Sequence, residues 1–289
     1  MNNDSYFTPP PLYALTIGIN AYTKYSTLHS AVKDADDFTD YLTKHLHIPP
    51  SHILTLRDGT ATRSGILSAF NDLKNLIPTS SKPADTGNRI IIFFAGHRTR
   101  GGWSQEKGGW EEGWDEWYEA ICPVDTGDIV EVRMGCGRVV KEVPAIPDRT
   151  IAALLNGLSE TIGNNITLIL DCCHSAGATR SLDDTRKAES EGYVPRQITN
   201  PPSLRPDYDA NITGALSRSA GGATAGVFSG KNMSSHVLLA ACGREQSAYE
   251  HPKQPNGVFT HALMEVLNKS RVEELTYTSL MHRLNMPEL

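Results

Sequence analysis

The chain has 289 residues, 39% of them hydrophobic and 21% charged, a globular balance that excludes wholesale disorder and a fibrous repeat. Its formal net charge of −6 excludes a broadly basic nucleic-acid-binding surface. The longest apolar runs, such as Ile91-Ile92-Phe93-Phe94-Ala95, are strand-sized and fall far short of the roughly 20 residues a membrane helix needs. The amino terminus, Met1-Asn2-Asn3-Asp4-Ser5, lacks the apolar core of a signal peptide, and the five cysteines follow no metal-ligand spacing. A reduced, cytoplasmic protein that binds neither nucleic acid nor membrane is therefore expected.

Residues 1–11 are polar, end in Pro9-Pro10-Pro11 and are read as a tail. Tyr13-Ala14-Leu15-Thr16-Ile17-Gly18-Ile19 follows as a strand apolar enough to be covered on both faces. Ala31, Val32, Ala35, Phe38, Tyr41 and Leu42 recur at helical spacing up to His45. Residues 53–56 are a short strand. Thr60 or Thr62 is expected to cap a helix that carries Ile66, Leu67, Phe70, Leu73 and Leu76 on one face. Residues 90–95 form the most apolar strand, after which 98–118 dissolve into Gly, Trp and acidic residues and read as a long loop. Ala120–Val124 is a short strand limited by Pro123, and Asp148 is expected to cap a helix through Ile151, Leu154, Leu155 and Leu158. Ile166–Leu170 is the next strand. Residues 179–233 lack periodicity and read as a functional or disordered loop. Order returns with a strand at 237–241 and a helix around Phe259–Leu267. The alternation of strand and helix predicts an α/β fold: three layers, with a mostly parallel central sheet and helices on both faces.

Two strands run straight into reactive side chains, Ile91–Ala95 into Gly96-His97 and Ile166–Leu170 into Asp171-Cys172-Cys173. Ligand crevices of open parallel sheets lie outside the strands' carboxyl ends. If these strands are neighbours, His97 and a cysteine share one crevice, where an imidazole converts a thiol into a nucleophilic thiolate.

Phe93-Phe94-Ala95-Gly96-His97 and Asp171-Cys172-Cys173-His174-Ser175 resemble the histidine and cysteine boxes of caspase-fold cysteine peptidases, most closely metacaspases and fungal caspase-like proteins. Ala14–Asn20, Leu28–Ala35, Ile146–Thr150, Leu239–Cys242 and Gly257–Thr260 carry the resemblance, in order, over about residues 13–268. It implies that Cys173, third in the D-x-C-H-S box, is the nucleophile and His97 its base, while Cys172 is a small buried neighbour. Peptide hydrolysis would pass through a thioester, with backbone N–H groups at Cys173 and beside His97 stabilising the oxyanion. No third catalytic side chain is evident, and a dyad suffices where a backbone carbonyl orients the imidazole. The resemblance places Asp171 and Asp34 as two acidic walls of the specificity pocket, so protein or peptide substrates with Arg or Lys at the cleaved position are expected.

It also implies a large catalytic part at 12–178, a linker at 179–233 and a small part at 234–289, which stops at Pro287-Glu288-Leu289 before a last strand that relatives carry, by truncation or by divergence. Arg180, Arg186, Lys187, Arg196, Arg205, Arg218 and Lys231 are candidate self-cleavage points in that linker. Two departures bear on activity. Arg98 replaces a Gly after the histidine and is expected to obstruct the cleft and reduce turnover; Ala176 ends the cysteine box in place of Gly. No cofactor is expected to be required. Calcium is a weak candidate, because Arg180 stands where many metacaspases have an aspartate ligand, although Glu111, Glu112, Asp115, Glu116 and Glu119 form an acidic loop beside Trp103, Trp110, Trp114 and Trp117. The rival reading is a catalytically weak homologue that acts by binding. An esterase would need a G-x-S-x-G elbow that the sequence lacks.

Overall fold

The computed structural model describes residues 11–78, 87–103, 117–134, 137–172, 188, 190–205, 208–213, 236–241, 248–251 and 253–286. Strand β1 (Leu12–Gly18) is buried along its whole length, as a mostly apolar run covered on both faces should be. It pairs in parallel with β2 (Ile53–Arg57) on one side and β3 (Arg89–Ala95) on the other. β3 pairs with β9 (Ile166–Asp171), and β9 with β12 (Val237–Ala240), again in parallel. The resulting five-stranded sheet has the order β12-β9-β3-β1-β2. The α/β class with a mostly parallel central sheet is thus what the chain adopts.

Helix α1 (Ala31–Asp40) turns Ala31, Asp34, Ala35 and Phe38 towards the sheet. This is the i, i+3, i+4, i+7 stripe of an amphipathic helix, except that one of its four members is a carboxylate. A π-helical turn at Tyr41–His45 continues α1. Helix α2 (Arg63–Leu76) is capped by Thr62, whose side chain accepts from the Gly65 N–H at 3.0 Å. Helix α3 (Asp148–Ile162) buries Ile151, Leu155, Leu158 and Ile162. Asp148 is its first helical residue and not the cap itself, and its Oδ1 accepts from the Arg149 N–H at 2.8 Å. Helices α5 (Val258–Lys269) and α6 (Tyr277–Arg283) close the fold, with the short α4 (Ala210–Thr213) preceding them.

Three features depart from the sequence reading. The segment expected to be a long loop begins with β4 (Arg98–Gly102) and ends with β5 (Trp117–Ile121), paired antiparallel; its middle, with Trp110, Trp114 and the acidic residues 111–116, lies outside the described residues. The pairing is hidden from sequence because Arg98-Thr99-Arg100-Gly101-Gly102 has no apolar alternation. A ribbon of β6 (Ile129–Met134) and β7 (Gly137–Glu142) was not expected either. Finally, the stretch 190–205 within the expected linker is packed on the molecule as β10 (Val194–Pro195) and β11 (Gln197–Ile198). β10 pairs antiparallel with β13 (Tyr249–Glu250), and β11 pairs in parallel with β4, joining a four-stranded sheet of order β11-β4-β5-β8, in which β8 is Ile146–Pro147. Arg196, between the two pairings, is 0% exposed. The pairings supply backbone hydrogen bonds, so the segment holds without an apolar pattern of its own.

Candidate active site

β3 and β9 are hydrogen-bonded neighbours with Ala95 opposite Asp171, so the two reactive segments leave the sheet side by side. Cys172 is buried and forms no disulfide among the described residues. Cys173, together with His174, Ser175, Ala176 and Arg180, lies outside the described residues.

His97 is fully buried. One ring nitrogen, Nε2, lies 2.8 Å from the Ser26 carbonyl oxygen. A carbonyl only accepts, so Nε2 carries the proton and Nδ1 is the basic nitrogen. Nδ1 is buried with no hydrogen-bond partner among the described residues. Burial lowers the His97 pKa below the ordinary imidazole value; the bond to Ser26 opposes this, and the Arg196 charge adds to it. The ring is therefore neutral at pH 7. Its position is fixed by Tyr22, whose ring lies tilted against it at 4.6 Å between centroids, and whose hydroxyl accepts from the His97 N–H at 2.8 Å while donating to the Cys122 carbonyl at 3.1 Å. Gly96 permits this approach, because a Cβ there would meet the Tyr22 hydroxyl at 2.7 Å. The loop carrying Tyr22 and Ser26 is pinned at its start by Asp58 Oδ1, which accepts from the Asn20 and Ala21 N–H groups at 2.7 and 2.9 Å.

Asp34 and Asp171, 137 positions apart in the chain, are both 0% exposed and share one guanidinium, that of Arg196. Arg196 Nη2 donates to Asp34 Oδ2 at 2.5 Å, and Nη1 lies 3.0 Å from Asp171 Oδ2. Both carboxylates sit at the amino-terminal end of α5, whose free N–H groups and dipole favour negative charge. Asp34 accepts from the Gly257 N–H at 3.0 Å and from Asn256 Nδ2 at 3.0 Å. Asp171 accepts from the Thr260 N–H at 3.1 Å and hydroxyl at 2.5 Å. Burial pushes the Asp34 carboxyl up to about 6 even though Arg196 pulls the other way, and Asp171 raises it further. For Arg196 burial acts downwards, but Asp171, Asp34 and Glu250 outweigh it and hold the guanidinium charged.

The backbone of Arg196 is held as well. Its N–H donates to the Ala248 carbonyl at 3.0 Å, and its carbonyl accepts from the Arg98 N–H at 3.1 Å. That N–H is the donor beside His97 named above for the oxyanion. Glu250, Ser30, Asn256 and Gly257 complete the pocket and escaped the sequence reading, although Ser30 and Gly257 lay within stretches quoted for the resemblance.

Arg98 does not obstruct the cleft. Its side chain is fully buried and pairs with Glu119 of β5, close enough to Asp148 to lower the pKa of that carboxyl, which burial pushes up to about 7. Arg98→Gly is therefore expected to cost about 3 kcal/mol of stability, the lower end for breaking a buried ion pair because Glu119 is partly exposed. Turnover should not rise. Thermal denaturation beside a peptide assay checks this; faster turnover at unchanged Tm would restore the obstruction.

Among the described residues no group of three or more His, Cys, Asp or Glu side chains is arranged to hold a metal ion, and no helix is long and apolar enough to cross a membrane. The caspase domain family matches residues 12–286 of the chain. No curated protein matches it.

Proposed function

The chain belongs to the caspase domain family, and from that premise we propose a cysteine endopeptidase that hydrolyses peptide bonds after Arg or Lys through Cys173 and His97. The observation that carries this reading is Arg196: an arginine guanidinium lies in the acidic pocket while the carbonyl of the same residue accepts from the N–H beside the histidine. In the reaction, His97 Nδ1 takes the Cys173 proton and the thiolate attacks the carbonyl carbon. The developing oxyanion is held by the Arg98 N–H. The C–N bond then breaks as His97 returns the proton to the leaving amine, and water hydrolyses the thioester to release the acid and restore the thiol. Ser26 keeps the imidazole in the tautomer this requires.

Among the basic residues between 179 and 233, Arg196 is favoured as the self-cleavage point by the same contacts. Val194 and Pro195 precede it in a strand paired with Tyr249–Glu250, the mode by which extended peptides add to a sheet edge. The expected result is a fragment beginning at Gln197 on storage of active protein, read by intact mass and terminal sequencing, with the Cys173→Ala protein remaining whole. A fluorogenic series with Arg, Lys and Asp at the cleaved position should show the basic peptides cut and the acidic one refused. The burial of Arg196 among three carboxylates also favours the second reading, a permanently filled site that acts by binding. An uncut wild-type chain that ignores all three peptides would decide for it, whereas preferential cleavage after Asp would defeat the acidic-pocket reading outright.

A further inference from the structure

The guanidinium in the pocket touches a third carboxylate. Glu250, on β13, is fully buried, and its oxygens are held in place before any substrate arrives. Oε1 accepts from the His29 N–H at 2.7 Å, and Oε2 from the Ser30 N–H at 3.2 Å and the Ser30 hydroxyl at 2.7 Å. Because the Ser30 hydroxyl spends its proton on Glu250, its oxygen is left as an acceptor, and Arg196 Nη2 donates to it at 2.7 Å. Glu250 Oε2 itself lies 3.4 Å from the same nitrogen.

The pocket therefore has two branches. One, formed by Asp34 Oδ2, Ser30 Oγ and Glu250 Oε2, surrounds Nη2. The other, formed by Asp171 Oδ2 at 3.0 Å and the Asp171 carbonyl at 3.2 Å, takes Nη1. Between them the floor is flat. A Cβ on Gly257 would lie 2.7 Å from Arg196 Cζ and Nη2 and 2.8 Å from Nη1, so the planar group rests against the bare glycine backbone.

A fork of two nitrogens on a rigid plane matches this slot; a lysine ammonium is a single point charge on a flexible stem. It would satisfy one branch and leave buried acceptors in the other without a donor, a loss that costs more than the missing bond itself. We infer that Glu250, acting with Ser30, is a specificity-determining residue that makes this pocket select Arg over Lys. The inference rests on the endopeptidase reading only in taking the pocket as the one that receives the substrate side chain. Glu250 also belongs to the strand that pairs with residues 194–195, so the third acid and the peptide-binding edge are set by the same short element.

Two measurements test it, one of them independent of catalysis. First, kcat/KM is measured for Val-Pro-Arg and Val-Pro-Lys fluorogenic peptides with the full wild-type, Glu250→Gln and Ser30→Ala chains. The Arg-to-Lys ratio should fall about tenfold or more in both variants, the equivalent of one charge-assisted hydrogen bond. Equal losses on both peptides would overturn the proposal and leave Glu250 a structural acid. Second, Arg196→Lys is made in the wild-type, Glu250→Gln and Ser30→Ala backgrounds of the catalytically silent Cys173→Ala chain, and Tm is recorded. The substitution should lower Tm clearly in the first background and much less in the other two; equal drops in all three would overturn the proposal. Should no chain cut either peptide, the endopeptidase reading falls, while the melting comparison still decides whether Glu250 discriminates Arg from Lys.

Discussion

Cys173→Ala is expected to abolish both turnover and labelling by a thiol-directed peptide inhibitor, whereas Cys172→Ala should keep substantial activity. The contrast follows from burial and from the geometry around His97. Cys172 is enclosed at the end of β9, near enough to the equally buried Cys122 to add to the upward push that burial gives the Cys122 thiol. A thiol in such surroundings stays protonated and unreactive. His97 Nδ1 has no hydrogen-bond partner among the described residues and is held neutral by burial, and so can remove a proton only from a thiol brought to that nitrogen. Loss of the nucleophile should lower the rate by several orders of magnitude, since the residues of a nucleophile–base pair act as a unit. Mass spectrometry of the labelled protein identifies the modified cysteine. Full activity in Cys173→Ala would remove the assignment, and labelling of Cys172 in the wild type would transfer it.

The second large effect is at the pocket. Asp171→Asn or Asp34→Asn is expected to weaken catalysis on Arg peptides by about 2–5 kcal/mol, the range for removing one partner of a buried hydrogen-bonded charge pair. Asparagine is nearly isosteric with aspartate and can keep the hydrogen bonds that Thr260 and Gly257 donate, so the loss should report charge more than shape. A pH profile isolates the contribution of Asp34. Asp34, pushed up to about 6 chiefly by burial, must be ionised to hold a guanidinium. Arg-peptide turnover should therefore be present above that pH and fall as the pH drops through it. His97, held below its usual value by burial, also loses its role as base on the acid side, and the Asp34→Asn variant separates the two contributions. Asp34→Asn should shift the limb to lower pH while reducing the plateau. An unchanged limb would show that another group controls it.

Much of this was legible in the residues themselves. The runs at 12–18, 89–95 and 166–171 are apolar without alternation because both faces are covered, and that single property announces a parallel sheet flanked by helices. The reactive residues follow two of those runs directly, so strand assignment alone brings His97 and the Asp171 segment to one edge. Asp34 carried a weaker signal, a carboxylate on the apolar stripe of α1, and its proposed role came from resemblance. What the tertiary structure decided depended on partners distant in sequence. Ser26 orients His97 through a backbone carbonyl, a group every residue possesses. Glu250 is an ordinary acid until β13 lays it against Ser30 and Arg196. Arg98, beside the histidine in sequence, turns its side chain to Glu119 because β4 pairs with β5. Arg196 was one of seven basic residues in an aperiodic stretch. Its place was set by hydrogen bonds from its backbone to residues 98 and 248 and by carboxylates from three separate elements. Backbone pairing and buried charge leave no periodic trace, and only the folded chain brings them together.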